Sequence, residues 1–211
     1  MDYALVLISV FAVFIPALLL PGPDFVAVVR SSMTYGSRSG LLTTLGVSMG
    51  LCLYASLSLL GLSAILVKYQ WLTWTVRALG GAYLIFLGIR LLRAKPQKIE
   101  LDQAATRPSR HRAVLFGFLV TLTNPKAIVL FASVFATAVT ASTPHWLMGV
   151  MIALVTASSL TWYSCVSLFM SSDPVMRRFQ NARHWIEKAA GVCFIGLGGK
   201  VLTDAGNPIS P

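Results

Sequence analysis

"LLLPGPDF", residues 18–25, interrupts a run of some twenty residues that carries almost no charge. Proline removes a backbone donor and clashes with the preceding turn, so Pro21 and Pro23 end one helix, and Pro23 suits the first turn of the next. Gly22 permits the irregular bend between them, and Asp24 places an acid at the break. Such an interruption is tolerable at membrane depth only where protein or a water-filled cavity satisfies the freed backbone groups. The stretch therefore reads as a broken membrane span beside a cavity.

The rest of the chain supports a membrane reading. Of the 211 residues, 56% are hydrophobic and 11% charged, whereas a soluble domain carries about 25% charge. The apolar blocks are long enough to cross a hydrocarbon layer of about 30 Å. They are too long, and too uniformly apolar, for the alternating strands of a barrel. The predicted fold is an all-α polytopic membrane protein with six spans. These are 3–34 (broken near 21–24), 39–67, 71–92, 112–140 (broken near 123–126), 146–170 and 185–204. Residues 1–205 form a single integral domain, with a basic loop at 93–111 and a tail at 206–211. No basic leading region or small-residue cleavage site precedes the first apolar block, so that block is expected to be retained. Trp71, Trp74, Trp146 and Trp185 fall near span ends and read as interfacial anchors.

A net charge of +10 raises the question of a nucleic-acid partner, but the distribution answers it. Thirteen of the seventeen Lys and Arg residues fall in the connections between spans 1 and 2, 3 and 4, and 5 and 6 or at the span ends that border them. That is the positive-inside pattern, and it places both termini outside. Cys52, Cys165 and Cys193 lie far apart in apolar blocks and suggest packing rather than metal or redox chemistry. Nothing in the sequence calls for a cofactor, and no GxxxxGK[ST] loop indicates an ATP-driven pump.

The chain also repeats itself. "GGAYLIFLGIRLL" (80–92) aligns with "AGVCFIGLGGKVL" (190–202) at an offset of 110. Identities include Gly81/Gly191, Ile85/Ile195, Gly88/Gly198 and Leu92/Leu202, while Arg90 meets Lys200. "PGPD" ending at Asp24 corresponds to "TNPK" ending at Lys126, an offset of 102. With three spans per half, the second half enters the membrane from the opposite side, giving two inverted three-helix repeats, 3–92 and 112–204.

Asn124 is suited to cap a helix and Pro125 to begin it. Each break then presents a helix N-terminus, whose free N–H groups favour an anion such as a carboxylate. A charge at the bilayer centre costs at least about 2.5–3.5 kcal/mol, so it is placed there for a partner. Asp24 reads as the deep acid and Lys126 as the deep base; Glu187 is assigned to a span end. One acid, one base and two helix N-termini fit a zwitterion, with its carboxylate at Lys126 and its ammonium at Asp24. The competing reading is a buried structural ion pair between these two charges.

Two further sets of residues stand out. Gly36, Gly40, Gly46 and Gly50 follow the second span at small-residue spacing and read as close helix packing. Thr156, Ser159 and Tyr163 on the fifth span read equally as a hydrated pathway or as hydroxyls bonded to backbone and neighbouring helices.

"PGPDF", "GSRSG" with Gly46 and Gly50, and "TNPKAIVLFASVF" together resemble the LysE/RhtB amino-acid exporter family over residues 3–204. "WYSCVSLF", "MRRFQ" and "WIEKAAG" are most similar to its threonine-exporter subgroup. The resemblance implies a multi-pass protein of the bacterial inner membrane that exports amino acids, driven by the proton motive force. Family substrates include threonine, homoserine, leucine, lysine and arginine. It carries motif roles onto Pro21, Gly22, Pro23, Asp24, Asn124, Pro125 and Lys126. Many members have Asn at the position of Asp24, so this acid is not a proton carrier required across the family. The implied partners are an amino-acid substrate, protons and the bilayer, and a homo-oligomer is compatible with the sequence. The alternative function is export of a cation or another small metabolite, and cation export would call for clustered oxygen or thiolate ligands.

Overall fold

The computed structural model describes residues 3–62, 65, 68–93, 108–135, 143–169 and 173–205, all helical apart from caps and short turns. The helices are α1 (Tyr3–Leu19), α2 (Pro23–Tyr35), α3 (Ser37–Ser56), α4 (Gln70–Leu92), α5 (Arg110–Leu122), α6 (Pro125–Leu130), α7 (His145–Phe169) and α8 (Asp173–Ala205). Two are extended by wider π-type turns, Leu57–Leu62 after α3 and Phe131–Phe135 after α6. Among the described residues there is no strand. Most of the basic loop, residues 94–107, and the tail lie outside the described residues.

Three helical stretches, Ser37–Gly61, Trp71–Leu92 and His145–Phe169, are long and apolar enough to cross a membrane. Two bent pairs bring the number to five if each is one span: α1 with α2, bent by 42°, and α5 with Pro125–Phe135, bent by 54°. Both bends fall where the sequence places its prolines. The segment expected as a sixth span lies inside α8, which does not reach that apolarity by itself. Glu187, Lys188, Lys200 and four glycines dilute it.

Residues 190–202 of α8 nevertheless run along α4 in intimate contact. A Cβ built on Gly88 would lie 2.6 Å from the Gly191 carbonyl, and one on Gly198 would lie 2.6 Å from the Gly81 carbonyl. As numbers rise on α4 they fall on α8, so the two helices are antiparallel. The contacts also exchange repeat-mates: Gly81 meets Gly198, and their counterparts Gly191 and Gly88 meet each other. This reciprocity is the contact pattern of a two-fold interface.

A second close approach joins α3 to α5. A side chain at Gly46 would strike the backbone of Val114 and Phe118, one at Gly117 the backbone of Thr43, and one at Gly50 the side chain of Thr121. Gly40 sits against Ser32 and Ser167, drawing α3 toward α2 and α7. Gly36 departs from the packing role expected of it. It forms the turn between α2 and α3 with φ of 86°, and a Cβ there would touch nothing. Its value is conformational, since other residues resist that region.

The aromatic core lies beside the breaks. Phe131 and Phe135 stand 4.6 Å apart between ring centres, Phe14 of α1 meets Phe135 at 5.7 Å, and Tyr54 of α3 stacks on Phe131 at 6.0 Å. The π turn after α6 is thereby fixed to α1 and α3. The expected anchors Trp71, Trp74, Trp146 and Trp185 are all exposed.

Candidate functional site

The first break begins where Pro21 offers no N–H to the Ala17 carbonyl, four residues earlier. The last α1 bond runs from Leu20 N to the Pro16 carbonyl at 3.2 Å. The orphaned carbonyls are taken from the other half of the chain, because Lys126 Nζ donates to Ala17 O at 2.8 Å and to Leu20 O at 3.4 Å. A cation at a helix C-terminus is favourably placed. Gly22 leaves room for it, since a Cβ there would lie 3.0 Å from Lys126 Nζ. Gly22 is also the cap position of α2, with Pro23 as its first residue.

The second break is capped by side chain. Asn124 Oδ1 accepts the Lys126 backbone N–H at 3.1 Å, and Pro125 opens α6. Asn124 Nδ2 points the other way and donates to Asp24 Oδ2 at 2.8 Å, while Thr121 Oγ1 donates to Asp24 Oδ1 at 3.0 Å. The Leu122 carbonyl, which matches Leu20 in the repeat, accepts the Tyr54 hydroxyl at 2.8 Å.

The two breaks therefore meet, but not through a direct ion pair. Asp24 reaches the cap of the second break, Lys126 reaches the carbonyls of the first, and Asn124 touches both residues. Asp24 is 2% exposed, with both oxygens engaged.

A cavity of 1030 Å³ lies against this junction. Pro21, Gly22, Pro23, Asn124, Pro125 and Lys126 all line it; Asp24 does not. Asp24, expected to face a ligand, is not among the lining residues, and Thr121 and Asn124 engage both its oxygens. The remaining polar lining comes from Arg30 on α2, Tyr83, Arg90 and Arg93 at the end of α4, and Glu187 on α8. Glu187, expected at a span end, is 4% exposed and forms part of the wall. Asp24 is accordingly not the only buried carboxylate among the described residues. The offset of 110 pairs Glu187 with Arg77, and that correspondence was the available signal for it.

Thr156, Ser159 and Tyr163 do not line this cavity. Thr156 Oγ1 donates to the Ile152 carbonyl at 2.8 Å and Ser159 Oγ to the Thr156 carbonyl at 3.0 Å. Tyr163 is buried, its carbonyl accepting from Thr44 at 3.2 Å. Two of the three hydroxyls, those of Thr156 and Ser159, are thus bonded to backbone of their own helix. A smaller cavity of 280 Å³ lies elsewhere, lined by residues including Ser9, Arg77, Ser133 and Lys200.

Comparison with known proteins gives consistent matches along nearly the whole chain. Residues 15–205 match the family model described as LysE type translocator. A threonine efflux protein of Salmonella typhi is 33% identical over 195 residues, covering 90% of this chain and 94% of that protein. A threonine efflux protein of Escherichia coli strain K12 is 32% identical over 197 residues, with the same coverage. An uncharacterised membrane protein of Haemophilus influenzae is 28% identical over 199 residues, covering 91% of this chain and 93% of its own. No solved structure matches significantly.

Proposed function

The chain belongs to the LysE type translocator family, whose members are transporters and not enzymes, and from that premise we propose that it exports threonine- or homoserine-like amino acids from the cytoplasm. The observation that carries this reading is the meeting of two broken spans at one cavity, with Lys126 in its wall. Broken helices meeting at a midplane site are a recurring plan of secondary transporters. Lys126 spends two of its three donors on α1 carbonyls, leaving one for a substrate carboxylate. Asp24 offsets the charge of Lys126 and holds Asn124 and Thr121 in place, so it acts by positioning.

In this reading the chain has six spans arranged as two inverted repeats in a bacterial inner membrane. The antiparallel, reciprocal contacts of α4 and α8 support it, as does the matching placement of the two breaks. The wall arginines Arg30, Arg90 and Arg93 sit at the ends that the positive-inside pattern assigns to the cytoplasm. The cavity is then the cytoplasmic vestibule, and export is driven by the proton gradient.

The test is transport in proteoliposomes with labelled threonine, homoserine, leucine and lysine, each with and without an imposed pH gradient. Saturable threonine movement stimulated by the gradient is the expected result. No movement of any of the four by folded protein would rule out amino-acid export.

A further inference from the structure

With Asp24 absent from it, the described lining of the large cavity contains one carboxylate, Glu187. It shares the wall with Lys126 and with Arg30, Arg90 and Arg93, so every other charged group there is a cation. A zwitterion needs an acid and a base facing one volume; Glu187 is the acid of the described lining, and Lys126 is the cation that stands at the helix breaks. The smaller cavity differs at the equivalent position. There Arg77 takes the place of Glu187, beside Lys200, and the described lining holds no acid.

We propose that Glu187 receives the ammonium group of the substrate whose carboxylate is held at Lys126. This assignment rests on the amino-acid export reading and gives it a chemical basis. It also makes the cavity selective for zwitterions over simple carboxylic acids. A buried carboxylate in a membrane segment is costly, and an arriving ammonium offsets part of that cost.

The experiment measures binding to the purified full chain in nanodiscs, with labelled threonine displaced by unlabelled threonine or by 2,3-dihydroxybutanoate. The latter keeps the carboxylate and the side-chain hydroxyl but carries a hydroxyl where threonine has its ammonium. The wild type is expected to prefer threonine strongly. In Glu187→Gln the affinity for threonine falls by at least about tenfold, the loss of one charge-assisted bond. The affinity for the des-amino acid stays level or rises, so the preference collapses. A Gln variant that keeps the wild-type preference overturns the proposal.

Glu187→Asp provides a second reading that retains the charge and should fold where Gln does not. It should weaken threonine several-fold and leave the des-amino acid untouched; equal losses for both ligands make the role structural and also overturn the assignment. A folded wild type that binds none of the four amino acids defeats the export reading itself. That outcome is distinct from a wild type that binds threonine and a Gln variant that still prefers it.

Discussion

At the first break no side chain caps the new helix, because the cap position is Gly22; at the second, Asn124 caps the helix itself. The first break contributes an acid and the second a base. Each charge is used at the opposite break: Asp24 steadies the second cap, and Lys126 closes the carbonyls that Pro21 leaves open. Neither break is complete alone. The difference teaches that the two halves are joined by an exchange of backbone-completing groups rather than by one charge facing another.

Removing the base tests that exchange most severely. Lys126→Met leaves the Ala17 carbonyl without its donor and the cavity without its floor cation. Transport should fall by about a hundredfold or more, the combined loss of a charge-assisted bond to backbone and one to substrate. Uptake and efflux assays on protein of verified expression measure it, and near wild-type rates would remove Lys126 from the mechanism.

Exchanging the charges sharpens the same point. In Asp24→Lys combined with Lys126→Asp, a simple ion pair would be rebuilt in reverse and activity partly restored. The observed contacts require a donor at Ala17 O and an acceptor at Asn124 Nδ2, which the exchange supplies at neither place. The double variant should remain as inactive as Lys126→Met, and recovery would show that the charges act on each other directly.

A smaller effect is expected from Asp24→Asn. The amide oxygen can still accept from Asn124, and the amide nitrogen can donate to Thr121 Oγ1 if that hydroxyl turns its proton to the Gly117 carbonyl, so the contacts survive while the charge opposite Lys126 is lost. Transport should drop by about tenfold, with the protein still folded; full activity would leave Asp24 without a role in export. Smallest is Tyr54→Phe, which removes the donor to Leu122 O while keeping the ring on Phe131. A loss of about 0.5–1.5 kcal/mol in stability is expected, read as a modest fall in the thermal midpoint with transport nearly unchanged.

Much of this was legible in the sequence because its causes are local. Proline favours the first turn of a helix and weakens its interior, Asn before proline caps a helix, and both bends appear where Pro21, Pro23 and Pro125 stand, although Pro16 is carried inside α1 without ending it. The glycines that align at an offset of 110 mark the seam of α4 and α8. What escaped reading depends on contacts between distant segments. Thr121 and Asn124 claim Asp24 from about a hundred residues away, and no spacing rule reveals that. Glu187 lay in the least apolar helix, so hydropathy moved it to a boundary although packing carries it onto the cavity wall. Gly36 fits the four-residue spacing of Gly40 but lies one step before the helix begins, where backbone geometry decides its use.

The reciprocal glycine contacts between α4 and α8 have a mechanical consequence. If the halves exchange conformations during a transport cycle, each contact of this seam is replaced by its own mirror partner, Gly81 with Gly198 by Gly191 with Gly88. The seam then looks alike at both ends of the stroke and favours neither. The side chains that pack on these glycines are mirrored too: Leu202 on Gly81 and Leu92 on Gly191, Ile195 on Gly88 and Ile85 on Gly198. Any preference for one end of the cycle then has to arise where the halves are unlike, and Asp24 against Lys126 and Glu187 against Arg77 are the pairs in which the sign of the charge is reversed.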